Sequence, residues 1–198
     1  MAISVNAMTK LAALAALTGS LWAAAPRFEL RDTGGALHTQ QEWRNNKAVL
    51  VFFIMTDCPL SNGYVPEMNR IRADYESRGV AVYAAHSDPL IASEAVRKHA
   101  AEFGYTFPVL LDPDLKLARA TGASIVPEAA LLSPEGAVLS LGRIDNRMED
   151  ITRRRPEPTQ YELRDALDAV LASRQPAVAR TRAVGCNSDV EGVLKGTQ

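Results

Sequence analysis

A chain of 198 residues that is 47% hydrophobic can bury one full core, so one domain with extensions at both ends is expected. A formal net charge of −1 excludes the electrostatic footprint of a nucleic-acid or membrane-surface binder. The basic run Arg153-Arg154-Arg155 is followed by Pro156 and Pro158 and reads as a solvated loop.

In chain order, residues 1–25 carry a single charged side chain, Lys10, then the apolar stretch Leu11 to Leu17 and the small residues Ala23-Ala24-Ala25. This is the order of a secretory signal peptide, with removal expected near Ala23 to Ala25. The mature chain then has no membrane span and lies in the periplasm or outside the cell. Residues 26–173 form the expected domain and 174–198 a polar tail carrying Cys186. Phe28-Glu29-Leu30 alternates like an edge strand before the turn Asp32-Thr33-Gly34-Gly35. Lys47 to Met55 is a buried strand, and Tyr64, Met68, Ile71 and Tyr75 give residues 59–78 a helical stripe. Val80 to Ala85 is a second buried strand ending at His86-Ser87-Asp88, and a helix from Pro89 to Phe103 follows. Phe107 to Leu111 is a short strand, and Asp112-Pro113-Asp114 turns into a short helix through Leu117 and Thr121. Ala129 to Leu132 and Ala137 to Leu141 flank the hairpin signal Ser133-Pro134-Glu135-Gly136. Thr159 with Glu162 three residues later is a capping box opening the last helix, which runs to Ala172. Strands alternating with helices and ending in a hairpin predict an α/β fold, a central mixed sheet flanked by helices on both faces.

Cys58 is the residue with the clearest chemical placement. It follows the buried strand and precedes Pro59, which suits the first position of a helix. Amides and the positive dipole end at a helix N-terminus favour thiolate, the nucleophilic form of sulfur. Asp57 opposes that ionisation. Functional groups gather at the carboxyl ends of parallel strands, so His86 is a candidate neighbour of the thiol. His38 and His99 are expected at the surface. One motif cysteine and His86 fall short of a soft-metal site, and no metal or cofactor is expected.

These residues resemble the thioredoxin superfamily. Cys58-Pro59-Leu60-Ser61 is similar to its Cys-x-x-Cys motif with serine in place of the second cysteine. Pro66 matches the proline that kinks the corresponding helix, and Val126-Pro127-Glu128 resembles the cis-proline loop facing the redox cysteine. The stretch from His86-Ser87-Asp88 through Phe107 to Ala118-Arg119 is similar to the peroxiredoxin branch, the alkyl hydroperoxide reductase/thiol-specific antioxidant type. Ile144-Asp145-Asn146-Arg147 and Thr181 to Cys186 resemble bacterial exported redoxin-domain proteins.

The resemblance implies a thioredoxin-like redoxin that uses Cys58 as a single attacking thiol. Its partners would be a thiol or disulfide substrate protein or a small oxidant, with an external thiol reductant. Ser61 removes the resolving thiol from the motif, which leaves Cys186 as a resolving candidate, an intermolecular thiol or a free one. A peroxiredoxin-like thiol peroxidase is the alternative enzyme. Against it, the peroxidatic loop pattern aligned on Cys58 puts Val51 in place of its proline and Met55 in place of its threonine. A redox-inactive binding module, with a structural Cys58–Cys186 bridge, is the alternative outside enzymes.

Overall fold

The computed structural model describes residues 28–188; the expected signal peptide at residues 1–25 lies outside the described residues. The chain opens with the hairpin β1 (Glu29–Arg31) and β2 (Leu37–Thr39), joined through the Asp32 turn. Asp32 Oδ1 accepts the amides of Gly34 and Ala36, which fixes that turn. A 3-10 turn over Gln40–Asn45 then buries Trp43, stacked on Phe28 at 4.8 Å between ring centroids.

The central sheet follows from two apolar runs that pair in parallel. In β3 (Ala48–Ile54) every residue is buried, and α1 (Pro59–Tyr75) carries the chain back to β4 (Val80–His86). The register runs from Ala48 opposite Val80 to Ile54 opposite His86. After α2 (Ser93–Phe103), β5 (Val109–Leu111) adds in parallel to β4. Next come α3 (Lys116–Thr121), the short β6 (Ile125–Val126), and the antiparallel pair β7 (Glu128–Leu132) and β8 (Val138–Gly142). β7 pairs antiparallel with β3, which completes a five-stranded mixed sheet in the order β5-β4-β3-β7-β8. α4 (Glu162–Leu171) and β9 (Cys186–Asn187) close the described chain.

Strand alternation sends one set of side chains to each face. Leu50, Phe52, Ile54, Val82 and Ala84 pack with Met68 and Ile71 of α1 and Leu163 and Leu167 of α4. Val49, Val51, Phe53, Tyr83 and Ala85 pack with Trp43, Leu117 and Ala118 on the other side. Helical cover on both faces is what lets a parallel pair as apolar as β3 and β4 form.

Three expectations need correction. The last helix starts at Glu162, not Thr159, and its N-cap makes no side-chain hydrogen bond. Asn146 takes over the Thr159 segment: its Oδ1 accepts the amides of Thr159 and Gln160, and its Nδ2 donates to Thr159 Oγ1. Glu162 is drawn into an ion pair with Arg143 and is lost to the capping box. The second helix starts at Ser93 rather than Pro89, because the Asp88 carboxylate accepts the Leu90 amide and holds residues 88–90 in a turn. His99 is buried, not a surface residue, and His38 is partly buried between Asp32 and Glu42, 3.1 and 3.0 Å away.

Candidate functional site

Cys58 is the N-cap of α1, and Pro59 occupies the first turn, where an absent amide costs nothing. The Cys58 carbonyl accepts the Asn62 amide at 3.0 Å, the first rung of the helix. Asn62 Nδ2 also donates to the Thr56 carbonyl at 3.0 Å, tying the strand-to-helix turn to the helix it feeds. Asp57 and Pro59 are exposed on this turn, while Cys58 itself is 1% exposed. Its sulfur packs into the face that holds Phe53, Val126 and Leu60.

Cys58 is joined to Cys186 by a disulfide across 128 residues, with the Cα atoms 6.1 Å apart. The sequence left three fates open for Cys186, and the structure has the intramolecular bond. The polar tail is also held against the sheet. The Leu141 amide donates to the Ala179 carbonyl and the Thr181 amide to the Leu141 carbonyl, so the tail lies along β8. Thr181 passes so close to Gly142 that a Cβ there would lie 2.6 Å from the Thr181 carbonyl oxygen. β9 then pairs antiparallel with β6, Cys186 opposite Val126 and Asn187 opposite Ile125.

The Val126–Pro127 peptide bond is cis, as the resemblance implied. The Val126 carbonyl oxygen lies 3.4 Å from Cys58 Sγ. In the disulfide that sulfur has no proton, so this is a contact; a reduced thiol would have an acceptor there. Glu128, which sequence reasoning passed over, anchors this loop. Its buried carboxylate accepts the Ser124 amide at 3.1 Å and the Ile125 amide at 3.5 Å. Burial pushes its carboxyl above the usual range, with the two amides acting in the opposite sense. A signal was present in the sequence: a carboxylate beginning an otherwise apolar strand must find buried donors.

The other expected residues take different places. Ser61 is fully buried on α1, and no hydrogen-bond partner meets its hydroxyl among the described residues. His86 ends β4 at the sheet edge nearest the Cys58 turn, opposite Ile54. Alternation turns it to the face of Val82 and Ala84, whereas the sulfur packs on the other face. Burial lowers its pKa to about 4, with Asp88 opposing and His99 reinforcing. It is therefore a neutral imidazole at neutral pH. His99 Nε2 meets Asn62 Oδ1 at 2.8 Å, so the second histidine braces the helix that carries Cys58.

Known proteins bear on this geometry. Residues 22–140 match the model of the AhpC/TSA family. The thiol-disulfide oxidoreductase ResA of Geobacillus thermodenitrificans is 30% identical over 128 residues, 64% of this chain and 71% of that protein. Among solved structures, a hypothetical protein from Sinorhizobium meliloti is 30% identical with a TM-score of 0.72, covering 83% of this chain and 91% of that one. A thiol:disulfide interchange protein DsbE from Chlorobium tepidum is 25% identical with a TM-score of 0.52, covering 60% of this chain and 81% of that one. The fold is thioredoxin-like. No helix among the described residues is long and apolar enough to cross a membrane.

Proposed function

Because the chain belongs to the AhpC/TSA family, we propose that it works as a thiol-disulfide oxidoreductase with Cys58 as the attacking thiol and Cys186 as its resolving partner. One observation carries the reading: the Cys58–Cys186 disulfide lies against the cis-proline loop at the N-terminus of α1. The similarity to ResA, a thiol-disulfide oxidoreductase by name, supports the same chemistry.

In the reduced chain, the amides of the first turn of α1 favour the Cys58 thiolate. The thiolate attacks a disulfide of the partner protein. A bond forms between Cys58 and one partner sulfur, and the partner's other sulfur leaves as thiolate and takes up a proton. Cys186 then attacks the Cys58 sulfur, closes the intramolecular disulfide and releases the first partner cysteine reduced. Two electrons pass to the partner, and an external thiol reductant restores the chain. The signal-like residues 1–25 support a periplasmic or secreted setting, where disulfide substrates occur.

Turnover of a protein disulfide such as that of insulin, with an excess of dithiol reductant, tests this. Cys58→Ser should abolish catalysed reduction. Cys186→Ser should still form a mixed disulfide through Cys58 but should turn over far more slowly. Hydrogen peroxide should be consumed slowly by the unaltered chain, since Met55 stands in the peroxidatic threonine's place. Reduction that persists undiminished in Cys58→Ser would overturn the assignment.

A further inference from the structure

The tail lies on β6 as a partner's strand would. We infer that residues 183–188 are an internal copy of the segment the site accepts, and that the site selects a cysteine preceded by glycine. This inference rests on the reading of Cys58 as the attacking thiol.

The register is the first support. Cys186 sits opposite Val126, the residue whose carbonyl oxygen touches Cys58 Sγ, and the Ser188 amide donates to the Ser124 carbonyl at 3.0 Å. Main-chain pairing at the cysteine and at the two residues after it therefore delivers its sulfur to Cys58. Pairing of this kind depends on backbone alone, so any extended segment can use it. What it cannot admit is a side chain at the position before the cysteine. A Cβ on Gly185 would overlap the Val126 carbonyl oxygen and lie 2.6 Å from its carbonyl carbon and 2.9 Å from Ile125 Cγ2. Two of these three atoms belong to the backbone of the cis-proline loop, which Glu128 holds, so they cannot swing aside as a flexible side chain would.

The flanking positions add a weaker preference. Val184 packs against the core, while Asn187 is exposed. The accepted pattern is then apolar, glycine, cysteine, polar. An open cleft of about 860 Å³ beside Ile125, Val184 and Gly185 leaves room for the rest of a partner protein. The tail and the partner need the same edge, so the tail leaves β6 while Cys58 attacks and returns to resolve the mixed disulfide.

The test uses the full-length Cys186→Ser protein, reduced, and two symmetrical peptide disulfides. One is built from Ala-Val-Gly-Cys-Asn-Ser and the other from Ala-Val-Ala-Cys-Asn-Ser. A symmetrical disulfide gives the same product whichever sulfur is attacked: a Cys58–peptide bond and one released peptide thiol. Bis(2-hydroxyethyl) disulfide measures the intrinsic reactivity of Cys58. The glycine peptide should form its mixed disulfide about tenfold faster or more, since a clash with fixed backbone opposes the alanine peptide. Equal rates for the two peptides, with bis(2-hydroxyethyl) disulfide reacting normally, would overturn the glycine rule and leave the oxidoreductase reading in place. No reaction with bis(2-hydroxyethyl) disulfide would overturn both.

Discussion

His86 shows how one buried group carries chemistry into stability. The imidazole is 2% exposed, and burial lowers its pKa from 6.5 to about 4. Above pH 6.5 it is neutral in both folded and unfolded chains. Between pH 6.5 and about 4 the unfolded chain binds a proton that the folded chain refuses, so stability falls as the pH drops through that window. The difference is worth about 3 kcal/mol at pH 4. His99, also lowered by burial, acts in the same direction. His38 acts oppositely. Burial works against its charge, but the Asp32 and Glu42 carboxylates raise its pKa above 6.5. Its contribution is present below pH 6.5 and is lost as the pH rises through the raised value. Urea unfolding of His86→Gln at several pH values should therefore show a shallower loss of stability between pH 6.5 and 4 than the unaltered chain shows. Parallel curves for the two proteins would mean that the imidazole is not the source of the acid sensitivity.

At the scale of elements, the β6 loop depends on a single carboxylate. Glu128→Ala leaves the Ser124 and Ile125 amides without their acceptor, which should cost roughly 1–3 kcal/mol. Glu128→Gln keeps an acceptor and should retain most of that stability. Unfolding midpoints measure the difference, and faster hydrogen exchange at those two amides would localise it. The same loop marks what the sequence could and could not disclose. The apolar runs of β3 and β4, the helical stripe of α1 and Pro59 after Cys58 are local signals, so the sheet and the Cys58 turn were legible. β6 and β9 were not: each is two residues long, and neither pairs with a neighbour in sequence. Glycines 142 and 185 carry no pattern either; their need for space appears only once the tail is laid across β8 and β6. The capping box at Thr159 failed for a related reason. Asn146, thirteen residues upstream, made hydrogen bonds to Thr159 that no local rule anticipates.

For the whole molecule, the disulfide divides the two sulfurs by access. Cys58 is buried at the N-terminus of α1, whereas Cys186 is only partly buried on the tail that covers it. An external thiol reductant approaching the oxidised chain therefore meets Cys186 first. Its thiolate bonds to the Cys186 sulfur, the Cys58–Cys186 bond breaks, and Cys58 leaves as a thiolate. That leaving group sits at the N-terminus of α1, where the positive end of the helix dipole favours a thiolate. A second thiol of the reductant then frees Cys186. On the proposed function, the two half-reactions would thus enter at different cysteines: substrate disulfide at Cys58, reductant at Cys186. A thioredoxin-type reductant protein whose resolving cysteine is replaced by serine distinguishes the routes, because its mixed disulfide with the oxidised chain persists and can be mapped by peptide mass. The bond should be found at Cys186, with Cys58 open to alkylation. Trapping at Cys58 instead would mean that the tail lifts from β6 before the reductant arrives.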